Sequence, residues 1–263
     1  MFPSRENHVA HSNPGLISGL LAAGLFLMGA QPLAAREAPA EPLEEVEAFV
    51  AGEAHGTLVL PLGATDRQTP AIVILADGET PDGRAAPYLD QLLGAGLAVL
   101  EMATLPGDSL EAVLVALARH PRVLGERIGL LGFGLGARQV AALPDPMAAR
   151  ALLYPGCAGM APAAMPGQAV LLMHGDADAA NPAPDCARLG EALTTAGARL
   201  RLRLLPGASY AWDRPAFAGE GHARLPRPDG AGRVEAHAWP EMTALSAAEV
   251  AGFFAASLLG ARP

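Results

Sequence analysis

The chain predicts an α/β domain in which a mostly parallel central sheet carries helices on both faces. Three observations lead there. Apolar runs at Ala71–Leu75, Ile128–Leu131 and Ala169–Met173, and Leu97–Met102 with its single Glu101, suit strands buried on both faces. These runs alternate with helix-length segments, as in Ser109–Arg119, where Leu110, Val113, Leu114 and Leu117 fall at helical spacing. No internal repeat competes with that pattern, and 263 residues, 51% hydrophobic and 17% charged, can build one sizeable core.

Residues 1–35 read as a signal peptide. Arg5 precedes an uncharged stretch, Gly15–Ala30 is apolar but short for a membrane span of about 20 residues, and Leu33-Ala34-Ala35 offers a small-residue cleavage site. Residues 36–43, rich in Ala, Glu and Pro, read as a linker, and 44–263 as the folded domain. The expectation is an exported protein, periplasmic or extracellular, with no stable membrane span once the signal is cleaved.

Within the domain, Val46–Val50 and Thr57–Leu62 suit a hairpin at a sheet edge, joined by a turn at Gly52–Gly56. Ala86–Gly94 is a short helix. Ala151–Tyr154 is a further strand, Ala183–Ala196 a helix closed by Gly197, and Leu200–Leu205 an alternating outer strand. Ala211–Pro240 reads as a long Pro/Gly-rich connection. Ser246–Leu259 reads as the last helix, with Ser246 as N-cap and Glu249 at capping-box spacing.

A net charge of −9 argues against a nucleic-acid partner, which requires a basic surface. All 18 basic residues are Arg, which excludes Schiff-base chemistry, a Ser-Lys pair and a P-loop lysine. In an exported chain the two cysteines, Cys157 and Cys186, form a disulfide candidate; a free Cys157 acting as nucleophile is the competing reading.

The informative stretch is Arg127–Leu143, RIGLLGFGLGARQVAAL. Here a strand runs into Gly132-Phe133-Gly134-Leu135-Gly136 and a helix follows, the layout of a nucleophile elbow G-x-[nucleophile]-x-G. A dinucleotide loop is disfavoured because the third fingerprint glycine is absent. Downstream lie HGDADAANPAPDC, from His174, and PGASYAWD, from Pro206. In this order and spacing the three segments resemble the dienelactone hydrolase family of α/β-hydrolases, over roughly Val46–Leu259.

The resemblance implies an α/β-hydrolase fold and hydrolysis of an ester or lactone. It puts Gly134 at the nucleophile position, Asp178 at the acid position and Tyr210 at the His position, with Asp77, Gly78 and Leu135 in the oxyanion region. Three departures stand out. Gly134 has no side chain to attack with. Tyr210, with an ordinary pKa near 10, is a poor base at neutral pH. Asp77 stands where relatives have a His-Gly pair, and a carboxylate there repels a developing oxyanion.

Replacement groups are few. Ser209, His174, His222 and His237 could supply a hydroxyl or imidazole, but His174 reads as a structural strand-end residue and the other two histidines as solvated. His174, Asp176 and Asp178 alternate along a loop without an evident further ligand, so no metal or other cofactor is expected. The sequence therefore supports an exported, catalytically impaired or inactive dienelactone hydrolase-like protein whose old pocket is vacant or binds a small ester, lactone or related ligand. An active ester or lactone hydrolase with a relocated nucleophile or base is the alternative, and an envelope protein that binds a partner through its surface is a third.

Overall fold

The computed structural model describes residues 44–63, 67–103, 105, 107–215 and 221–260; burial and side chains are not described at 44, 107 and 108. The chain divides into two units, Met1–Ala40 and Glu41–Pro263, and the described residues belong to the second. The signal peptide and linker assigned to 1–43 lie outside them.

An eight-stranded sheet is ordered β1-β2-β4-β3-β5-β6-β7-β8. The strands are β1 (Glu44–Ala51), β2 (Ala54–Pro61), β3 (Thr69–Leu75), β4 (Ala98–Met102), β5 (Val123–Phe133), β6 (Ala149–Leu153), β7 (Ala169–Gly175) and β8 (Arg199–Leu205). β1 and β2 pair antiparallel and β2 joins β4 antiparallel, while all pairings from β4 to β8 are parallel. The apolar runs fall in β3, β4, β5 and β7, and β3 is buried along its whole length. β8 is the outer strand that its alternation implied, and its Arg201 and Arg203 pair with Glu249.

Helices cover both faces. One core holds α2 (Gly107–Ala118), α3 (Leu135–Ala142) and α4 (Ala183–Thr195), with Val113, Val140 and Leu189 against the sheet. The other holds α1 (Ala86–Gly94) and α5 (Pro240–Leu258), through Tyr88, Leu92, Val250 and Phe254. Each parallel strand gives its carboxyl end to the same rim, because Leu75 is level with Gly132, Gly132 with Leu152 and Leu153 with Met173.

Three sequence expectations need correction. The first turn is the two-residue Gly52-Glu53, with Ala51 opposite Ala54, so Gly56 lies inside β2; a Cβ there would crowd the Glu101 carbonyl. Ala211–Pro240 is not all connection: β9 (His222–Pro226) and β10 (Arg233–His237) form an antiparallel hairpin within it. Finally, α5 begins at Pro240 with Trp239 as N-cap, so Ser246 caps nothing. Proline at the first turn loses no needed N–H, and Ser246 is buried mid-helix, accepting from the Trp212 indole at 3.1 Å. Glu249 makes no capping box and holds the two β8 arginines.

Candidate functional site

The elbow forms where the sequence puts it. β5 ends at Phe133, α3 starts at Leu135, and Gly134 joins them at φ 48°, ψ −110°. That is a backbone region costly for any residue with a Cβ. The outer glycines permit the tight turn: a Cβ on Gly132 would press into the backbone of Ala137, and one on Gly136 into the carbonyls of Leu75 and Ala76. Gly134 N–H donates to the Leu153 carbonyl at 3.0 Å, tying the turn to the end of β6.

The space above Gly134 is filled by two side chains from other strand ends. A Cβ on Gly134 would fall on Asp77 Oδ1 and on the Tyr210 hydroxyl. Asp77, in the loop after β3, accepts the backbone N–H of Leu135 on Oδ1 at 2.8 Å. Its Oδ2 accepts the Tyr210 hydroxyl at 2.5 Å and sits 3.2 Å from Arg84 Nη1. Leu135 N–H is the group assigned to the oxyanion region, so that donor is occupied by the chain's own carboxylate. Gly78, also assigned there, lines the adjoining cavity.

Electrostatics fit this arrangement. Burial raises the Asp77 carboxyl above its ordinary value, while Arg84, Tyr210 and Leu135 N–H favour its charged form. Tyr210 is fully buried, and burial together with the Asp77 charge pushes its phenol well above 10. It is therefore a proton donor at neutral pH and no base.

Asp178 is hydrogen-bonded to other partners, and its charge adds to the rise of the Tyr210 phenol. It accepts Ala180 N–H and Asn181 Nδ2 at 2.8 Å each, and burial pushes its carboxyl up to about 6. It does not cap α4, whose N-cap is Pro182. Asn181 Oδ1 in turn accepts Gly156 N–H and Cys157 N–H at 2.7 and 3.2 Å. Cys157 and Cys186 are joined by a disulfide and both are buried, which removes Cys157 as a free nucleophile. The acid turn is thus fixed to the loop after β6 by one amide side chain and one covalent bridge.

The proposed stand-ins are used elsewhere. Ser209 Oγ accepts His237 N–H at 2.9 Å, and His174 is buried, its imidazole lowered by desolvation and its Nδ1 near the Gly175 carbonyl. His222 and His237 are exposed, but on β9 and β10 rather than on a loop. Among the described residues, no group of three or more His, Cys, Asp and Glu side chains is arranged to hold a metal, and no helix is long and apolar enough to cross a membrane.

Sequence reasoning missed the network behind Asp77. Arg84, almost wholly buried, joins Asp82, Asp77 and the Tyr154 hydroxyl. Tyr154 donates to Asp213 Oδ1 at 2.6 Å, and Tyr88 donates to Asp213 Oδ2 at 2.8 Å. Fully enclosed, Asp213 is pushed up to about 6. Asp213 closes the PGASYAWD segment, so its position was legible as a motif, whereas Arg84 lay unmarked in a Pro/Gly loop. Beside Asp77 opens a cavity of about 440 Å³, lined by Arg84, Leu135 and Arg214 and by the hairpin segment Leu225–Pro228. Arg227 fastens that hairpin to the acid turn by donating to the Ala179 carbonyl at 3.1 Å.

Comparison with known proteins agrees with this architecture. No curated protein matches the chain. A dienelactone hydrolase-like promiscuous phosphotriesterase from metagenomic libraries superposes with a TM-score of 0.60 at 16% identity, covering 81% of this chain and 98% of that one. Carboxyl esterase 2 from the fungus Tuber melanosporum gives 0.58 at 13% identity, covering 84% and 89%. A thermostable esterase from Pseudomonas putida gives 0.58 at 11%, covering 82% and 84%. These likenesses show the α/β-hydrolase fold. The model of the dienelactone hydrolase family matches residues 94–242, more than half of the sequence, and the chain belongs to that family.

Proposed function

We propose that the chain is an exported dienelactone hydrolase-like protein that does not hydrolyse esters by the elbow route and instead holds a small ester, lactone or related ligand beside the elbow. One observation carries the reading: Asp77 Oδ1 accepts the Leu135 N–H, while Asp77 and the Tyr210 hydroxyl overlap the place of a nucleophile's Cβ. An ester oxyanion entering there would compete with a carboxylate for the same donor and meet its negative charge. The cavity beside Asp77, with mixed apolar and charged walls, remains for a ligand. Export rests on residues 1–35 and is supported by the buried disulfide, a bond that persists in oxidising compartments.

The purified, oxidised chain is expected to turn over neither p-nitrophenyl esters nor small lactones. Turnover that Asp178→Ala abolishes would overturn the reading. Gly134→Ser with Tyr210→His is expected to stay inactive, because Asp77 still occupies the hole; adding Asp77→Gly is the combination expected to gain esterase activity. Export is checked by cell fractionation and by the N-terminus of the mature protein, expected just after Ala35; an intact N-terminus in the cytosol contradicts it.

A further inference from the structure

We propose that the β9–β10 hairpin carries a two-imidazole site for a borderline divalent cation such as Zn²⁺, formed by His222 and His237. The two residues lie directly opposite each other in the antiparallel ladder, so their side chains leave the same face of the hairpin. Their ring centroids are 5.6 Å apart. With Zn–N bonds of about 2.0–2.1 Å, two imidazole centroids on one tetrahedral ion lie roughly 5.2 Å apart. The observed spacing is close to that separation.

Glu235 is two residues before His237 on β10 and shares its face. Its Oε2 lies 3.7 Å from His237 Nε2, where it can accept from a water bound to the ion. The two imidazoles are the principal ligands, and water completes the shell. Neutral imidazole suits zinc, copper and nickel, whereas calcium and magnesium prefer all-oxygen shells.

The position gives such an ion a consequence at the elbow. His237 N–H donates to Ser209 Oγ, and the adjacent Ala236 bridges to Tyr210, the residue against Asp77. From the same hairpin, Leu225–Pro228 lines the cavity. An ion on His222 and His237 clamps the two strands at the end remote from the turn and so fixes this wall of the cavity.

The test is calorimetric titration of the untagged, metal-stripped chain with ZnCl₂. Saturable one-to-one binding is expected, reversed by chelation and accompanied by a rise in Tm at saturating zinc. His222→Ala and His237→Ala should each weaken it by about tenfold or more, and Glu235→Gln by less. His55→Ala should leave it unchanged. Absence of saturable binding to the wild-type chain, or unchanged affinity in the His222→Ala/His237→Ala chain with native circular dichroism, overturns the proposal.

Discussion

At the scale of the residue, Gly134 and Asp77 explain one another. Gly134 keeps the turn conformation of an elbow but leaves the Cβ space to Asp77 and Tyr210. Gly134→Ala is therefore expected to destabilise the fold by more than the ~1–3 kcal/mol of backbone strain alone, since the methyl group also displaces a hydrogen-bonded carboxylate. In Asp77→Gly, which opens the space, the same substitution should cost less. A double-mutant cycle from urea unfolding reads the difference, and strict additivity would refute the steric coupling. That Gly134 carries no side chain was legible in the sequence. The Asp77–Leu135 hydrogen bond was not, because it spans 58 residues and depends on β3 and β5 ending at one level.

At the scale of the element, periodicity located the buried parallel strands and α1, because burial on one or both faces writes a regular apolar pattern. It failed where burial is satisfied by polar groups. Ser246 looked like a cap, but its hydroxyl serves Tyr88 and Trp212 inside α5; Pro240 was the better start signal. The β9–β10 strands hid among Pro and Gly because only Leu225, Val234 and Ala236 are buried there. The loop after β6 and α4 are joined by the disulfide between residues 29 apart. Reducing it, or replacing both cysteines with Ala, should cost about 3–4 kcal/mol by loss of unfolded-state restraint. Urea midpoints that coincide with and without reductant would show that the bridge contributes no stability.

At the scale of the whole molecule, two buried carboxylates on neighbouring strand ends set a pH dependence. Asp178 and Asp213 titrate near 6 in the folded protein against an ordinary value of 3.8. As pH rises, the unfolded chain releases these protons first, so their contribution is fully present below the ordinary value and is lost as pH climbs through about 6. Between pH 4 and pH 7 the Asp178→Asn/Asp213→Asn chain should accordingly lose less stability than wild type, measured by urea unfolding across that range. Parallel stability curves would exclude the effect. The fold was readable at this scale because strand order follows from chain order and parallel crossovers, while the polar network joining α1, α5 and the rim is a product of packing. The interlock of Gly134, Asp77 and Tyr210 also bears on how sequences of this family interconvert. Gly134→Ser meets Asp77, Tyr210→His takes away the phenolic donor on Asp77, and Asp77→Gly leaves a cleared hole with no group to attack from it. Under the proposed reading, each first step away from the present trio brings a cost and no activity, so drift back toward hydrolysis passes through a valley that point mutation crosses only in combination.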